Sequence, residues 1–99
     1  YTIEHIMPQN ENLSQEWKNT LGENWQDIKA QWLHTLGNLT LTGYNSEYSD
    51  KPFEEKRDME GGFAKSPLKL NEYLRDSNLI WNEDAIKSRA IILSNQAAN

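Results

Sequence analysis

The chain has 99 residues, of which 36% are hydrophobic and 25% charged, which is enough for one modest core in an ordinary soluble domain. It contains no cysteine, which excludes disulfides, thiolate zinc sites and cysteine nucleophiles together, so any bound metal must take oxygen or imidazole ligands. A net charge of -5 excludes a strong unaided grip on nucleic acid, because phosphate neutralisation needs clustered Lys and Arg.

The elements follow in chain order. Tyr1-Thr2-Ile3 is short, β-branched and aromatic, which suits a strand ending near Glu4-His5 before Pro8 and Asn10 break it. Ser14 suits the N-cap of a helix containing Trp17 and Leu21, with Gly22 as its stop. Asn24 suits the start of a second helix, in which Trp25, Ile28, Trp32 and Leu33 fall on one face. Three tryptophans in two short helices read as core aromatics of a packed insert. Leu39-Thr40-Leu41-Thr42 alternates and predicts a second strand, with a turn from Gly43 to Ser46. Ser49 or Asp50 can cap a helix from Pro52 through Arg57.

Gly61-Gly62 marks a break, and Leu68 through Arg75 reads as a helix. Trp81 suits a hydrophobic staple before Asn82, which caps a long final helix with an apolar stripe of Ile86, Ala90, Leu93 and Ala97. Arg89 lies among those apolar neighbours and is expected to pair with an acid. The expected architecture is α+β and mostly helical, with one two-stranded hairpin, a helical insert between its strands and additional C-terminal helices. Residues 1–99 read as one domain, with the hairpin core in 1–60 and the C-terminal helices in 61–99. The abrupt start inside a strand reads as a piece of a longer protein. No apolar run can span a bilayer and no secretory pattern opens the chain, so a cytoplasmic location is the default expectation.

Two stretches carry candidate chemistry. Glu4-His5-Ile6-Met7-Pro8 sets an acid beside a histidine at a strand end, where a carboxylate can hold a metal while imidazole handles a proton near neutral pH. Taken alone, the pair reads better as a surface or hydrogen-bonded pair with no catalytic duty. Leu36-Gly37-Asn38-Leu39 puts an asparagine at a strand entry, a place that also suits local backbone bonding. Asn45 is a common turn residue whose amide oxygen is a hard ligand acceptable to magnesium. His34 suits either a phosphate contact or the satisfaction of helix-end carbonyls. Lys51, Lys56 and Arg57 suit phosphate binding or a solvated helix face shared with Glu54 and Glu55. No phosphate-cradling glycine loop occurs, which places any nucleotide site outside this chain.

In combination, Glu4-His5-Ile6-Met7-Pro8, Gly37-Asn38-Leu39-Thr40-Leu41, Asn45 and Lys51 resemble the HNH (ββα-metal) endonuclease pattern. The ordered set from Ile3 to Gln9, His34 to Thr42, Asn45-Ser46, Pro52 to Lys56 and Trp81-Asn82-Glu83 is similar to the C-terminal nuclease domain of GmrSD-type modification-dependent restriction enzymes. That resemblance implies His5 as general base, Glu4 and Asn45 as metal ligands, and Asn38 as the residue that supports the loop and orients His5. Glu and Asn stand where the wider superfamily more often has Asp and His, and both are hard donors that favour Mg²⁺ or Mn²⁺. The implied partner is DNA, with RNA left open, and other domains would recognise modified DNA and hydrolyse nucleotide. A non-catalytic binding module on the same fold is the competing class.

Overall fold

The structure, a computed structural model, describes residues 2–43, 51–59 and 61–98. Strand β1 (Thr2–His5) pairs antiparallel with β2 (Leu39–Thr42), with Glu4 opposite Thr40 and His5 opposite Leu39. Between them run α1 (Gln15–Leu21) and α2 (Trp25–Trp32). After β2 come α3 (Phe53–Asp58), short 3-10 turns, and α4 (Glu83–Ala98). The architecture is α+β and mostly helical, with the expected insert between the strands.

The local signals act where the sequence places them, with three exceptions, one being that α3 is capped at Pro52, with no side-chain bond, in place of Ser49 or Asp50. Ser14 accepts a hydrogen bond from Trp17 N, and Gly22 ends α1 at φ 96°, a conformation that a side chain disfavours. Asn82 Oδ1 accepts from Ala85 N and caps α4. Asn24 makes no such side-chain bond to α2. The helix expected over Leu68–Arg75 is instead two separate 3-10 turns, Lys69–Asn71 and Tyr73–Arg75. Tertiary bonds account for this correction. Asn71 is buried and bonds Thr40 Oγ1, Leu41 O and Ser66 Oγ, while Arg75 reaches back to Ser66 O and Leu68 O. A continuous helix would carry those side chains away from their partners.

The core gathers Ile6, Met7, Trp17, Phe53, Phe63, Leu74, Trp81 and Ile86. Of the three tryptophans in the insert, only Trp17 is fully buried, its indole donating to Lys51 O at 3.0 Å. Trp25 and Trp32 are half-buried at the core's edge, which revises the expectation of three core aromatics. The hairpin is also reversed from the usual polarity. Its inner face carries Glu4, Thr40 and Thr42, whereas Ile3 and Leu41 point outward and are exposed. Burial of Glu4 and Thr40 is tolerable because α3 and the Asn71 turn supply partners, which offsets their lost hydration.

Helix α4 locks the entry to β2. Arg89 is buried and donates to the carbonyls of Leu36, Gly37, Leu39 and Leu70. The acid expected as its partner is replaced by this ring of backbone acceptors, and burial lowers its pKa to about 10. At Gly37 the α4 backbone comes so close that a Cβ would strike Ile86 O.

Candidate active site at the hairpin end

Alternation along β1 sends Glu4 and His5 to opposite sides of the hairpin. On the inner side Glu4 meets Lys56, which α3 projects into the interior. Lys56 Nζ lies 2.8 Å from Glu4 Oε2, 3.0 Å from His5 O and 2.9 Å from Ile6 O. Lys56 is 0% exposed and Glu4 6%. The ammonium therefore neutralises Glu4 and grips the backbone of the His5–Ile6 step at once. The expectation of Lys56 as a phosphate contact or part of a solvated face is corrected: its three donors all point at protein oxygens.

Arg57 is corrected in the same way. It is buried, with Nε and Nη2 on the Asp58 carboxylate at 2.8 Å each and Nη1 on the carbonyls of Asp76 and Ser77. The hydrogen-bonded Asp58 raises the guanidinium pKa, and the same bond lowers that of Asp58. Both cations failed as sequence-level surface residues because a six-residue helix against a core must bury one face, and here the buried face includes its basic residues. Lys51 is exposed and sits beside Glu54, Glu55 and Asp58.

Asn38 is fully buried and joins three parts of the chain. Its Oδ1 accepts from Met7 N at 2.8 Å and from Trp81 Nε1 at 3.1 Å, and its Nδ2 donates to Met7 O and Leu33 O. Asn38 O also accepts from Ile6 N at 2.9 Å. These bonds fix the two residues after His5, so Asn38 is a positioning residue rather than one that reaches solvent. The link through Trp81 was not legible in the sequence. An indole donor before a helix cap gives no hint of a partner 43 residues away.

On the outer side His5 is partly exposed and faces His34 at the end of α2. His5 Nε2 is 3.0 Å from His34 Nδ1 and 3.1 Å from Gln9 Nε2, and the two imidazoles meet edge-on at 83°. An amide nitrogen can only donate, so His5 Nε2 accepts from Gln9 and carries the ring's lone pair, which leaves His34 Nδ1 as a donor. Burial, then the charges of His34 and Lys56, hold the His5 pKa below its ordinary value of 6.5. The outcome is a neutral imidazole on the partly exposed side of the hairpin, its basic nitrogen held by Gln9 and His34.

A metal finds less support in the described residues. Among them no group of three His, Cys, Asp or Glu side chains could hold an ion. Glu4 already meets an ammonium, and a divalent cation there would have to displace Lys56 or be repelled by it. The described donors alone do not fit a metal. Asn45, the other expected ligand, lies outside the described residues, as do Ser49 and Asp50.

What the fold and site define is a small α+β domain presenting a neutral, partly shielded histidine at the end of a two-stranded hairpin. A family model described as the C-terminal domain of GmrSD restriction endonucleases matches residues 1–96, and the chain belongs to that family. It is thus a domain of the restriction-endonuclease type. Searches of curated proteins and of solved structures give no match. Among the described residues no helix is long and apolar enough to cross a membrane.

Proposed function

We propose that this chain is an HNH-type endonuclease domain that hydrolyses phosphodiester bonds in DNA, with His5 as the general base, in a restriction or phage-defence protein. The observation that carries the reading is the His5 imidazole: its pKa is lowered, its ring lies partly exposed at the hairpin end, and Asn38 and Lys56 clamp the backbone beside it, so that a water displacing Gln9 or His34 meets its Nε2 lone pair. Family membership supports the reaction class.

In this reading water attacks phosphorus, its proton passes to His5 Nε2, and the bond from phosphorus to the leaving oxygen breaks. A base near neutrality is suited to that transfer because it is unprotonated yet still a good acceptor at working pH. Lys56 and Asn38 contribute by keeping the His5–Met7 backbone in one place, which maintains the ring's direction. The reading includes a requirement for Mg²⁺ or Mn²⁺, with Glu4 and Asn45 as the donors. It rests on the family resemblance and on their hard oxygen chemistry, and it requires Glu4 to be released from Lys56.

The test is cleavage of plasmid and of modified phage DNA by the protein and its His5→Ala variant, each with Mg²⁺, Mn²⁺ or chelator. Loss of a general base should slow cutting by about two to four orders of magnitude while the fold persists. Equal cleavage by both proteins removes His5 from the mechanism. Cleavage undiminished by chelator removes the metal requirement, and no cleavage of any substrate favours a binding module.

A further inference from the structure

Beside His34 the outer surface opens into a cleft of about 440 Å³ over α2. Its walls include Trp25, Gln26, Lys29, Leu33 and His34, with Glu11 as the one acidic lining residue. Trp25 is half-buried, so part of its indole remains accessible. Lys18 Nζ lies 5.0 Å from the Trp25 ring centroid, and Lys29 Nζ donates to Gln9 O at 3.0 Å. Neither ammonium has a carboxylate within ion-pair distance among the described residues. These are the only two cations in residues 1–50, a stretch otherwise carrying seven acids.

The other clefts have different chemistry. The one along α3 is lined by Glu54, Glu55 and Asp58 around Lys51, which would repel phosphate. The one between α4 and the 3-10 turns includes Glu72 and Asp76 and touches neither histidine. Of these three clefts, the one over α2 combines an indole, un-neutralised positive charge and continuity with His5 through the 3.0 Å contact to His34.

We propose that the α2 cleft is a single-strand DNA subsite, holding the nucleotide next to the bond cut at His5, with its base against Trp25 and its backbone phosphate toward Lys29. This rests on the endonuclease reading. An aromatic face beside a lysine is how nucleic-acid-binding surfaces hold a strand without reading its sequence, by base stacking and phosphate neutralisation. Apolar contact with Leu33 extends the floor beneath the base, and Lys18 adds positive potential on the Trp25 side. The path then leads past His34 to the His5 ring.

The experiment measures binding of a fluorescent single-stranded oligodeoxynucleotide in chelator, where nothing is cut, across a salt series. It compares wild type, Lys29→Gln, Lys18→Gln/Lys29→Gln and Trp25→Leu, with circular dichroism confirming that each variant is folded. Lys29→Gln should lower the slope of log affinity against log salt by about 0.7, the share of one phosphate on a single strand. Trp25→Leu, which keeps apolar packing, should weaken binding about tenfold with the slope retained.

Unchanged affinity and slope in the double lysine variant would overturn the proposal, as would a wild type that does not bind. A polyglutamate peptide of matched charge that binds as tightly would also overturn it, marking a general anion surface. The His5→Ala cleavage assay separates the two readings. If cleavage depends on His5 but binding ignores Lys29 and Trp25, the cleft fails alone. If binding depends on the cleft but cleavage ignores His5, the catalytic assignment fails and the subsite stands.

Discussion

The two faces of β1 differ more than two neighbouring residues in a sequence would suggest. On the inner face, Glu4 is enclosed with Lys56, whose ammonium also holds the carbonyls of His5 and Ile6. On the outer face, one residue later, the partly exposed His5 ring has Gln9 and His34 beside its basic nitrogen. The difference teaches a division between the two sides: the buried side holds the strand end through Lys56 and Asn38, while the other side carries a partly exposed ring. Under the proposed function, that restraint is what keeps the His5 ring in one direction.

Breaking the inner face should have the largest effect on folding. Lys56→Met leaves the buried Glu4 carboxylate without its ammonium and should cost about 3–5 kcal/mol, read by denaturant unfolding. Adding Glu4→Gln should return part of that loss, because a neutral amide is less costly to bury than a carboxylate. If the single variant unfolds like wild type, the pair is not what holds the strand end.

Asn38→Ala should come next. It removes the partners of Met7 N, Met7 O, Leu33 O and Trp81 Nε1 together, costing about 2–3 kcal/mol. It should also slow cleavage more than it weakens DNA binding, since it acts on the direction of His5. A parallel loss of both would mean a general structural role.

The smallest expected effect sharpens the outer face. The His5 pKa is lowered in the fold, first by burial, so the folded chain binds fewer protons than the unfolded one between that lowered value and 6.5. Stability from this group is therefore complete above pH 6.5 and declines as pH falls through that window. The acid limb of the cleavage profile should likewise lie below pH 6.5. Removing one of the charges that depress it, by His34→Gln, should move the limb toward 6.5. A limb at or above 6.5 in wild type would contradict a neutral His5 base.

Much of the helical framework was legible because its signals are local. The Ser14 and Asn82 caps and the stop at Gly22 are satisfied within a few residues of themselves, so nearby sequence suffices to find them. The two strands and the helical insert were legible for the same reason, from β-branched and alternating residues against helical spacing. Lys56 and Arg89 were misjudged because their partners lie far away in the chain, whereas Arg57 pairs with the adjacent Asp58 and was misjudged because packing against the core buries its side of α3. Lys56 meets Glu4 across 52 residues, and Arg89 meets carbonyls of Leu36, Gly37 and Leu39 across 50 or more.

The sequence by itself determined the caps of α1 and α4 and the stop of α1, that an acid and a histidine share a strand end, and that any metal must take oxygen or imidazole donors. Tertiary structure alone decided which face of the hairpin is buried. A strand's period places Glu4 and His5 on opposite sides, but it does not say which side is inside. That choice follows from where α3 can deliver Lys56 and where α4 can deliver Arg89, because a buried charge is stable only where another element brings its partner.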